Sequence, residues 1–515
     1  ASEAVALEGK PRGDDREYQH TRLSNGLEVV NVRDPRARES AVAVAVKSGS
    51  YNDPVELPGL AHFCEHMLFL GTKRFPDESG FDDFISRSGG VDNAYTDNEV
   101  TVYFSKVDHA SQKEELARLA DFFSAPLFDE KYAQKEVHAI NSEHQKNVQN
   151  PTFRVFETMN SLADPASPLG RFHTGDLGTL YTAPMANGTS PVDALRVYFK
   201  GHYCPAHMRL VTVSSSPLAE QLAQAAASFG NISRGSEECQ RPVHSFAEPT
   251  PWPAERMGKW LTMEGSQPQA QMWLQFPLPD LTADWSSQPL DYIEHMLDYG
   301  GVGSLKRVLQ DRLGLVESLE TTYAMTSAGT NFYIVVALSG LGVKHTRIVL
   351  DVIFLYLTTL RQDGVNVDLY DSIRDLVQLK WDWAEPDELM DTASGLAERM
   401  TRLPAEKLLS GDALIEKPDP EQVADLLERL RPGNMNVGYV DPNATASGRL
   451  NASAARELPH YGVKYAVQNI SERFPGAPTE WSYWLQTGSA DAARASLLSR
   501  MQAAGLVSPR GGSVG

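Results

Sequence analysis

A short apolar stretch near the N-terminus, GLAHFCEHMLFLGT at residues 59–72, carries three polar side chains in close succession. Its apolar spacing predicts a buried helix over residues 60–70. Positions i, i+3 and i+4 of a helix share one face, so His62 and His66 point the same way, with Glu65 beside them. Any fold that buries this helix must therefore provide partners for two imidazoles and a carboxylate.

The spacing of these side chains indicates a metal site. Two imidazoles four residues apart on a helix can bind one metal ion, and a catalytic zinc needs a third protein ligand. The downstream segment KEVHAINSEHQKN offers Glu136 and Glu143, two helical turns apart on one face. We interpret Glu143 as the third ligand and Glu136 as a residue that orients a histidine. Glu65 is then expected to take a proton from a metal-bound water, which is the chemistry of amide hydrolysis.

The competing interpretation is a chance match, because a histidine on an apolar helix is usually a packed core residue. The metal site is favoured because an apolar helix, a strand and a helix with paired glutamates follow one another along the chain. His138 and His144 are expected to be structural, since two histidines already suffice. Cys64 is expected to be a packed thiol, because it points away from the histidine face.

The order of elements restarts after a proline-rich segment, RPVHSFAEPTPWP at residues 241–253, which we interpret as a linker. Before it, SAVAVAVKSGS and NEVTVYFSKV alternate as strands do, and AQMWLQFPL and FYIVVALSG do so after it. HFCEHMLFLG at 62–71 is echoed by DYIEHMLDYG at 291–300, which indicates an internal duplication. No second metal site is expected at Asp291, Glu294 and His295, because no paired-glutamate helix follows them.

Composition narrows the class of protein. The chain has 515 residues and a formal net charge of -20, which argues against nucleic acid as a partner. No stretch is long and apolar enough for a membrane span, and the first twenty residues lack the apolar core of a signal peptide. Three cysteines predict no disulfide framework and a reducing compartment. We therefore expect a cytoplasmic location, with a mitochondrial one as the alternative.

Four segments together resemble one enzyme family. They are GLAHFCEHMLFLGTKRFP, NAYTDNEVTVYFSKV, PLFDEKYAQKEVHAINSEHQKNVQNPTFR and SPLGRFHTGDLGTL. They are similar to the insulysin (insulin-degrading enzyme) and pitrilysin branch of the inverzincin metallopeptidases. The resemblance is dense from Leu23 to Val213 and thinner, but continuous, through the second half of the chain.

The resemblance implies an α+β fold of two similar domains, each a mostly antiparallel sheet with helices packed on one face. It also implies one zinc ion per chain, with Glu65 as the general base and Glu136 supporting a ligand. The ligands that it implies are His62, His66 and Glu143. It further implies that an extended peptide pairs with the strand edge at Asn93, Ala94 and Tyr95, and that the substrate's N-terminal end is held at Gly300, Gly301 and Gly303.

Members of this branch carry four such domains, and only the first half is recognisable here. We predict a catalytic zinc domain at 1–245, a homologous non-catalytic domain at 246–473 and a partly disordered tail at 474–515. The expected function is a zinc metalloendopeptidase acting on short peptides. The first alternative is a half-length isoform or non-catalytic subunit that needs a C-terminal half or a homodimer partner. A truncated product that still binds zinc is the second.

Overall fold

The chain divides into two compact units, each made of segments that are separate in sequence. The structure is a computed structural model and describes residues 4–451, 453–477, 479–481 and 490–507. The first unit contains the chain up to Lys146, Phe172–His244 and Val377–Leu414, and the second contains Asn147–Arg171, Ser245–Leu376 and the chain from Ile415 onward. The predicted domains 1–245 and 246–473 differ from these units in two segments. Residues 147–171 belong to the second unit, and residues 377–414 belong to the first.

Alternating apolar residues build the sheet of the first unit. Its seven strands have the order β1-β2-β3-β7-β4-β6-β5, and only the β3–β7 pair is parallel. Along the chain the strands are β1 Val5–Ala6, β2 Glu17–Arg22, β3 Glu28–Arg33, β4 Glu39–Val46, β5 Val91–Thr96, β6 Thr101–Asp108 and β7 Met208–Ser214.

The second unit contains a sheet of the same size. Its order is β10-β11-β9-β12-β8-β14-β13, and only the β8–β12 pair is parallel. Its strands are β8 Lys259–Glu264, β9 Gln271–Leu278, β10 Val316–Thr326, β11 Gly329–Leu338, β12 Asn436–Asp441, β13 Arg456–Glu457 and β14 Lys464–Asn469.

Helices fill most of the chain between these strands. In chain order they are α1 Leu60–Leu68, α2 Gly80–Arg87, α3 Gln112–Ser124, α4 Glu130–Gln149, α5 Pro151–Asn160, α6 Ala183–Ala186, α7 Pro191–His202, α8 Leu218–Phe229, α9 Pro289–Asp298, α10 Leu305–Arg307, α11 Thr346–Asp363, α12 Val367–Asp382, α13 Leu389–Arg399, α14 Pro420–Arg429, α15 Ile470–Arg473 and α16 Ala490–Ala503.

Strand β4 alternates valine and alanine, and both of its faces are covered. Val42, Val44 and Val46 belong to a core that also contains Phe63 and Met67 of α1. The intervening alanines are fully buried on the opposite face, where α13 packs against β4, β6 and β7. Alanine leaves room for a helix to approach the sheet closely, so β4 can be buried on both sides. These alanines are Ala41, Ala43 and Ala45.

The two sheets repeat one topology, which supports the predicted duplication. The neighbours β5-β6-β4-β7-β3 of the first sheet correspond in order to β10-β11-β9-β12-β8 of the second. The echoed sequences fall on equivalent helices, since α1 follows β4 and α9 follows β9. The predicted α+β fold of two similar, mostly antiparallel sheets is confirmed.

The sequence expectations about cysteine were wrong in one respect. Cys204 and Cys239 form a disulfide with a Cα–Cα distance of 6.3 Å, whereas Cys64 is unpaired and fully buried. A count of three predicts no disulfide framework and reduced thiols, but two cysteines 35 residues apart in sequence lie side by side here because the chain returns to the start of β7. The unpaired thiol of Cys64 is packed in the core of the first unit.

The predicted tail contains an anchored helix. On α16, Arg500 Nε donates to Asp351 Oδ2 of α11 at 2.6 Å, and Asp351 has no exposed surface. The partly disordered tail that we predicted at 474–515 includes residues 478, 482–489 and 508–515, which lie outside the described residues. No helix in the described part of the chain is long and apolar enough to cross a membrane.

Candidate metal centre

The motif helix α1 is held at its N-terminus by a buried aspartate. Asp53 accepts hydrogen bonds from the Gly59 and Ala61 amides, both at 2.7 Å, and thereby satisfies donors that a helix start leaves unpaired. Burial raises the pKa of this carboxyl to about 7, although the amide hydrogen bonds oppose the shift. The position of α1 is therefore fixed close to its first histidine.

His62 is oriented by a backbone carbonyl that arrives from far along the chain. Gly59 has a φ of 93°, and a Cβ atom on it would lie 2.3 Å from Gly175 Cα. This close approach brings the Thr174 carbonyl oxygen to 2.8 Å from His62 Nδ1. A carbonyl can only accept a hydrogen bond, so Nδ1 carries a proton, and in the neutral imidazole the lone pair is on Nε2.

His66 is oriented by Glu136 and faces Glu143. The distance from His66 Nδ1 to Glu136 Oε2 is 3.3 Å, so Nε2 of His66 faces the opposite way. Glu143 Oε2 lies 3.3 Å from His62 Nε2 and 3.6 Å from His66 Nε2, and the two Nε2 atoms are 3.2 Å apart. Three ligand-type atoms therefore converge on one point.

The charges of these groups favour a cation there. Hydrogen bonds from His62 and His66 hold the pKa of Glu143 well below its usual range. Burial alone would lower the pKa of His66, but hydrogen bonds with Glu136 and Glu143 outweigh it and raise the pKa to about 9. A metal ion would take the place of that proton, because a ligating histidine must be neutral.

The donor set fits zinc. The ligand atoms of His62, His66 and Glu143 all lie within 4.8 Å of one another. Two imidazoles and one carboxylate are a set that catalytic zinc uses with its fourth position open. Of the described residues, one other group brings three such side chains this close, namely Cys204, His207 and Cys239.

Glu65 lies beside the convergent atoms without joining them. Its side chain is buried, and the Thr96 hydroxyl donates to its Oε2 at 2.6 Å. Burial raises the pKa of Glu65, while the nearby histidines and the Thr96 hydrogen bond act in the opposite direction. A carboxylate with a raised pKa is a better proton acceptor near neutral pH.

The predicted peptide-binding strand runs next to this group. β5 is the edge strand of its sheet, pairs with β6 and contacts α1. The Asn93 side-chain oxygen accepts the Ala94 amide at 2.9 Å. Tyr95 donates from its hydroxyl to Glu398 Oε2 of α13 at 2.7 Å. The edge is thus within the same unit as the convergent atoms, and its role in binding peptide stays a prediction.

The remaining predicted residues lie elsewhere. Gly300, Gly301 and Gly303 are in the second unit between α9 and α10, and their role is likewise untested. His138 is exposed on α4, and the buried His144 ring packs on Phe172 at 4.9 Å. Neither histidine belongs to a cluster of metal-type donors among the described residues, and nor do Asp291, Glu294 and His295.

Three contacts of this site were not predicted from the sequence. The apolar pattern of the helix does not identify Asp53 as the acceptor at its start, and nothing in the sequence marks the Thr174 carbonyl as the partner of a histidine 112 residues away. Thr96 offered a signal, because it follows the predicted peptide-binding residues directly and strand alternation turns its side chain opposite to that of Tyr95.

The comparisons with known proteins agree with two features of this structure. The two α+β units share one strand order, and the first carries a His-x-x-Glu-His helix. A family model described as "Insulinase (Peptidase family M16)" matches residues 28–166. "Peptidase M16 inactive domain" matches 191–377, and "Middle or third domain of peptidase M16" matches 381–481. The chain belongs to the insulinase family of peptidases, family M16, and the predicted insulysin and pitrilysin branch is confirmed.

Particular relatives are similar over nearly the whole chain. The A-factor-processing enzyme of Saccharomyces cerevisiae is 31% identical over 89% of this chain and 43% of its own length. The insulin-degrading enzyme of Homo sapiens is 30% identical over 89% of this chain and 44% of its own. A putative zinc protease of Schizosaccharomyces pombe, mug138, is 29% identical over 90% and 47%. The chain therefore spans about half the length of these curated relatives.

Solved structures agree with the fold. The crystal structure of pitrilysin matches with a TM-score of 0.85 and 26% identity, covering 95% of this chain and 50% of that one. A protease from Helicobacter pylori matches with a TM-score of 0.64 and 17% identity, covering 82% of this chain and 99% of that one. The second likeness concerns the fold alone.

Proposed function

We propose that this chain is a zinc-dependent metalloendopeptidase that hydrolyses short peptides. The observation that carries the proposal is the convergence of His62 Nε2, His66 Nε2 and Glu143 Oε2 beside a buried carboxylate that is not one of the three. The names of the relatives, which include insulin-degrading and A-factor-processing enzymes, support a peptide as the substrate.

In this proposal each side chain of the site has a separate role. His62, His66 and Glu143 would hold the ion, which would supply a positive charge that polarises a carbonyl and acidifies water. Glu65 accepts a proton from the attacking water and returns it to the leaving amine. Thr96 holds one oxygen of Glu65, which leaves the other oxygen for the proton. The edge of β5 at Asn93, with Ala94 and Tyr95, pairs with an extended peptide.

The decisive experiment separates metal binding from proton transfer. His66→Ala should lose zinc with the fold retained, whereas Glu65→Gln should keep zinc and lose ~10²–10⁴-fold in peptide hydrolysis, because an amide cannot accept the proton. Zinc content and cleavage of a fluorogenic peptide are measured on the same preparations. His138→Ala, which removes an exposed histidine of α4, is the matched control and should change neither.

Full zinc retention in His66→Ala would contradict the ligand assignment. Undiminished turnover by zinc-loaded Glu65→Gln would contradict the role of Glu65. Each result is informative alone, since the first concerns a ligand and the second a residue outside the ligand set.

A second candidate is a half-length form that binds zinc and peptide but needs a partner half, or a second copy of itself, for activity. The observation behind this candidate is the coverage, since the alignments span 43–47% of the length of the first curated relatives. Our cytoplasmic assignment, with a mitochondrial alternative, stays a prediction, and the Cys204–Cys239 disulfide removes the support that it took from the cysteine count.

A further inference from the structure

The first unit holds a second cluster of metal-type donors, apart from the motif helix. Cys204 lies between α7 and β7, and His207 follows it in a short turn in which the His207 amide donates to the Cys204 carbonyl at 2.9 Å. Cys239 comes from the segment after α8. The two sulfurs and a ring nitrogen of His207 lie within 4.8 Å of one another.

The cluster is buried, and its histidine has one nitrogen to spare. Cys204 and Cys239 are fully buried, and His207 is 7% exposed. His207 Nε2 lies 2.8 Å from the Arg241 carbonyl oxygen, which can only accept, so Nε2 carries the proton. Nδ1 is then the nitrogen with a lone pair, and this buried atom has no hydrogen-bond partner among the residues that the structure describes. A buried acceptor without a partner is costly, and a metal ion would satisfy it.

The tautomer matches that of a ligating histidine. Ligand imidazoles usually donate their other N–H to a carbonyl or carboxylate, which fixes the ring and leaves the lone pair for the ion. The contact with Arg241 is of this kind. Cys204 and His207 are three residues apart on one turn, so one short segment presents two donors and Cys239 brings the third.

We propose that Cys204, Cys239 and His207 form a site with two chemical states, a disulfide when oxidised and a binding site for a divalent thiophilic cation of the zinc class when reduced. A dithiol reductant gives two electrons and two protons to the sulfur–sulfur bond and is itself oxidised to a disulfide. The cation then displaces both protons from the thiols. Two thiolates and a neutral imidazole are donors that zinc prefers.

Charge favours a divalent ion over a monovalent one. Two thiolates and a neutral imidazole carry two negative charges, so a divalent cation makes a neutral buried centre. A monovalent ion such as copper(I) would leave a net negative charge away from water, which costs free energy. The three side chains leave a fourth coordination position to a water or to a backbone oxygen, and the Cys239 carbonyl lies 3.1 Å from Cys204 Sγ.

The test counts metal in a chain whose first site has been removed. The His66→Ala variant of the 515-residue chain is prepared oxidised and, separately, after treatment with a dithiol reductant that is then removed. Each form is titrated with Co²⁺ and with Zn²⁺. We expect one equivalent of metal and a thiolate-to-cobalt charge-transfer band in the reduced form, and neither in the oxidised form. The same increment is expected in the wild-type chain, so the result does not depend on the proposed peptidase activity.

Two variants assign the donors. Cys204→Ser should abolish the cobalt band although Cys64 remains as a thiol. His207→Ala should still form the disulfide when oxidised, which thiol counting would reveal and which reports native placement of both cysteines, but should bind cobalt at least tenfold more weakly. The proposal is overturned if the reduced chain takes up no metal, if the band persists in Cys204→Ser, or if reduction alone unfolds the protein, as circular dichroism would show.

Discussion

Thr96 illustrates how one hydroxyl can set the reactivity of a buried carboxylate. Its hydrogen bond to Glu65 Oε2, at 2.6 Å, fixes the orientation of the proposed base. We expect Thr96→Val to lower kcat ~10-fold or more, since a hydrogen bond to a charged group contributes roughly 1.5–3 kcal/mol. KM should change little, because Thr96 does not belong to the proposed peptide-binding residues.

The conservative variant distinguishes orientation from packing. Thr96→Ser keeps the hydroxyl and loses only a methyl group, so most of the activity should return. Steady-state kinetics on both variants at matched zinc content provide the measurement. Wild-type turnover in Thr96→Val, which keeps the methyl group and lacks only the hydroxyl, would contradict the role of the hydroxyl; an equal loss in Thr96→Ser would show that the methyl group matters as much.

Glu136 is a second single residue with a testable role, and it acts on the proposed ligand His66 rather than on Glu65. It is 3.3 Å from His66 Nδ1 and keeps the Nε2 atom facing Glu143. Glu136→Gln should weaken zinc affinity or activity ~10–100-fold, the usual effect of losing a partner that orients a ligand. Competition with a chelator measures the affinity, and Glu143→Gln is the comparison. If the Glu136 variant loses zinc as completely as the Glu143 variant, the two glutamates have been given the wrong roles.

At the residue scale, the sequence predicts side chains on one helix better than it predicts their partners. The i, i+4 histidines and the i, i+7 glutamates follow from helical geometry alone, and the structure brings them together. The hydrogen bond from His62 to the Thr174 carbonyl could not be predicted in this way, because every residue has a carbonyl and the sequence does not show which one lies nearby. What selects Thr174 is the approach of Gly59 to Gly175, which depends on the whole fold.

At the scale of elements, α3 carries a carboxyl group into the interface with β6. Glu115 has no exposed surface, and Ser105 of β6 donates to its Oε1 at 2.7 Å. Burial raises the pKa of this carboxyl to about 8, although the Ser105 hydrogen bond opposes the shift. The folded chain therefore keeps a proton that the unfolded chain releases near pH 4.5.

This shift has a definite sign for stability. Between the unfolded and the folded pKa, unfolding releases the proton, so Glu115 lowers the free energy of unfolding progressively from about pH 4.5 to about pH 8. Glu115→Gln removes the titration, and its advantage over the wild type should grow across this range by on the order of a few kcal/mol. Urea unfolding at about pH 5 and about pH 8 measures the difference.

An exposed neighbour on the same helix is the control. Glu114 pairs with Arg118 one turn away at 2.8 Å, and such surface pairs contribute ~0.3–0.5 kcal/mol. Glu114→Gln should shift stability by about that amount and equally at both pH values. A Glu115→Gln advantage that does not change with pH would show that the carboxyl is ionised in the folded protein.

Strands and helices were largely predictable as separate elements, and their assembly was less so. The alternating runs became β4, β6, β9 and β11. The placement of α13 was missed, because helical periodicity shows that a face is apolar without showing which sheet will cover it. The Cys204–Cys239 pair was missed for a similar reason, since a count of cysteines carries no information about proximity.

At the scale of the whole molecule, the length of the chain bears on activity. The proposed zinc ligands and the β5 edge would supply water activation and one wall for a peptide, whereas catalysis also needs the peptide held and the transition-state charge stabilised. The second proposed function supplies these from a partner half or a second copy. We expect low peptidase activity at high dilution that rises with protein concentration, or on addition of a separate C-terminal half from a relative.

Specific activity is measured across a dilution series, with sedimentation velocity in parallel. Zinc-loaded Glu65→Gln at the same concentrations serves as the blank for contaminating peptidases. Activity that is high and constant in samples that sediment as a monomer would mean that the chain is self-sufficient.

The exchange of α13 into the first unit also has a consequence for how the protein is made. Arg16 near the N-terminus donates to Thr392 Oγ1 of this helix and to the Asp387 carbonyl oxygen, each at 2.8 Å. When β7 has just been synthesised, every strand of the first sheet is present, but α13, which covers the face of Ala41, Ala43 and Ala45, has not yet been made. This face stays uncovered until nearly two hundred more residues have been synthesised. The nascent chain thus passes through a long interval in which it is a natural client for chaperones.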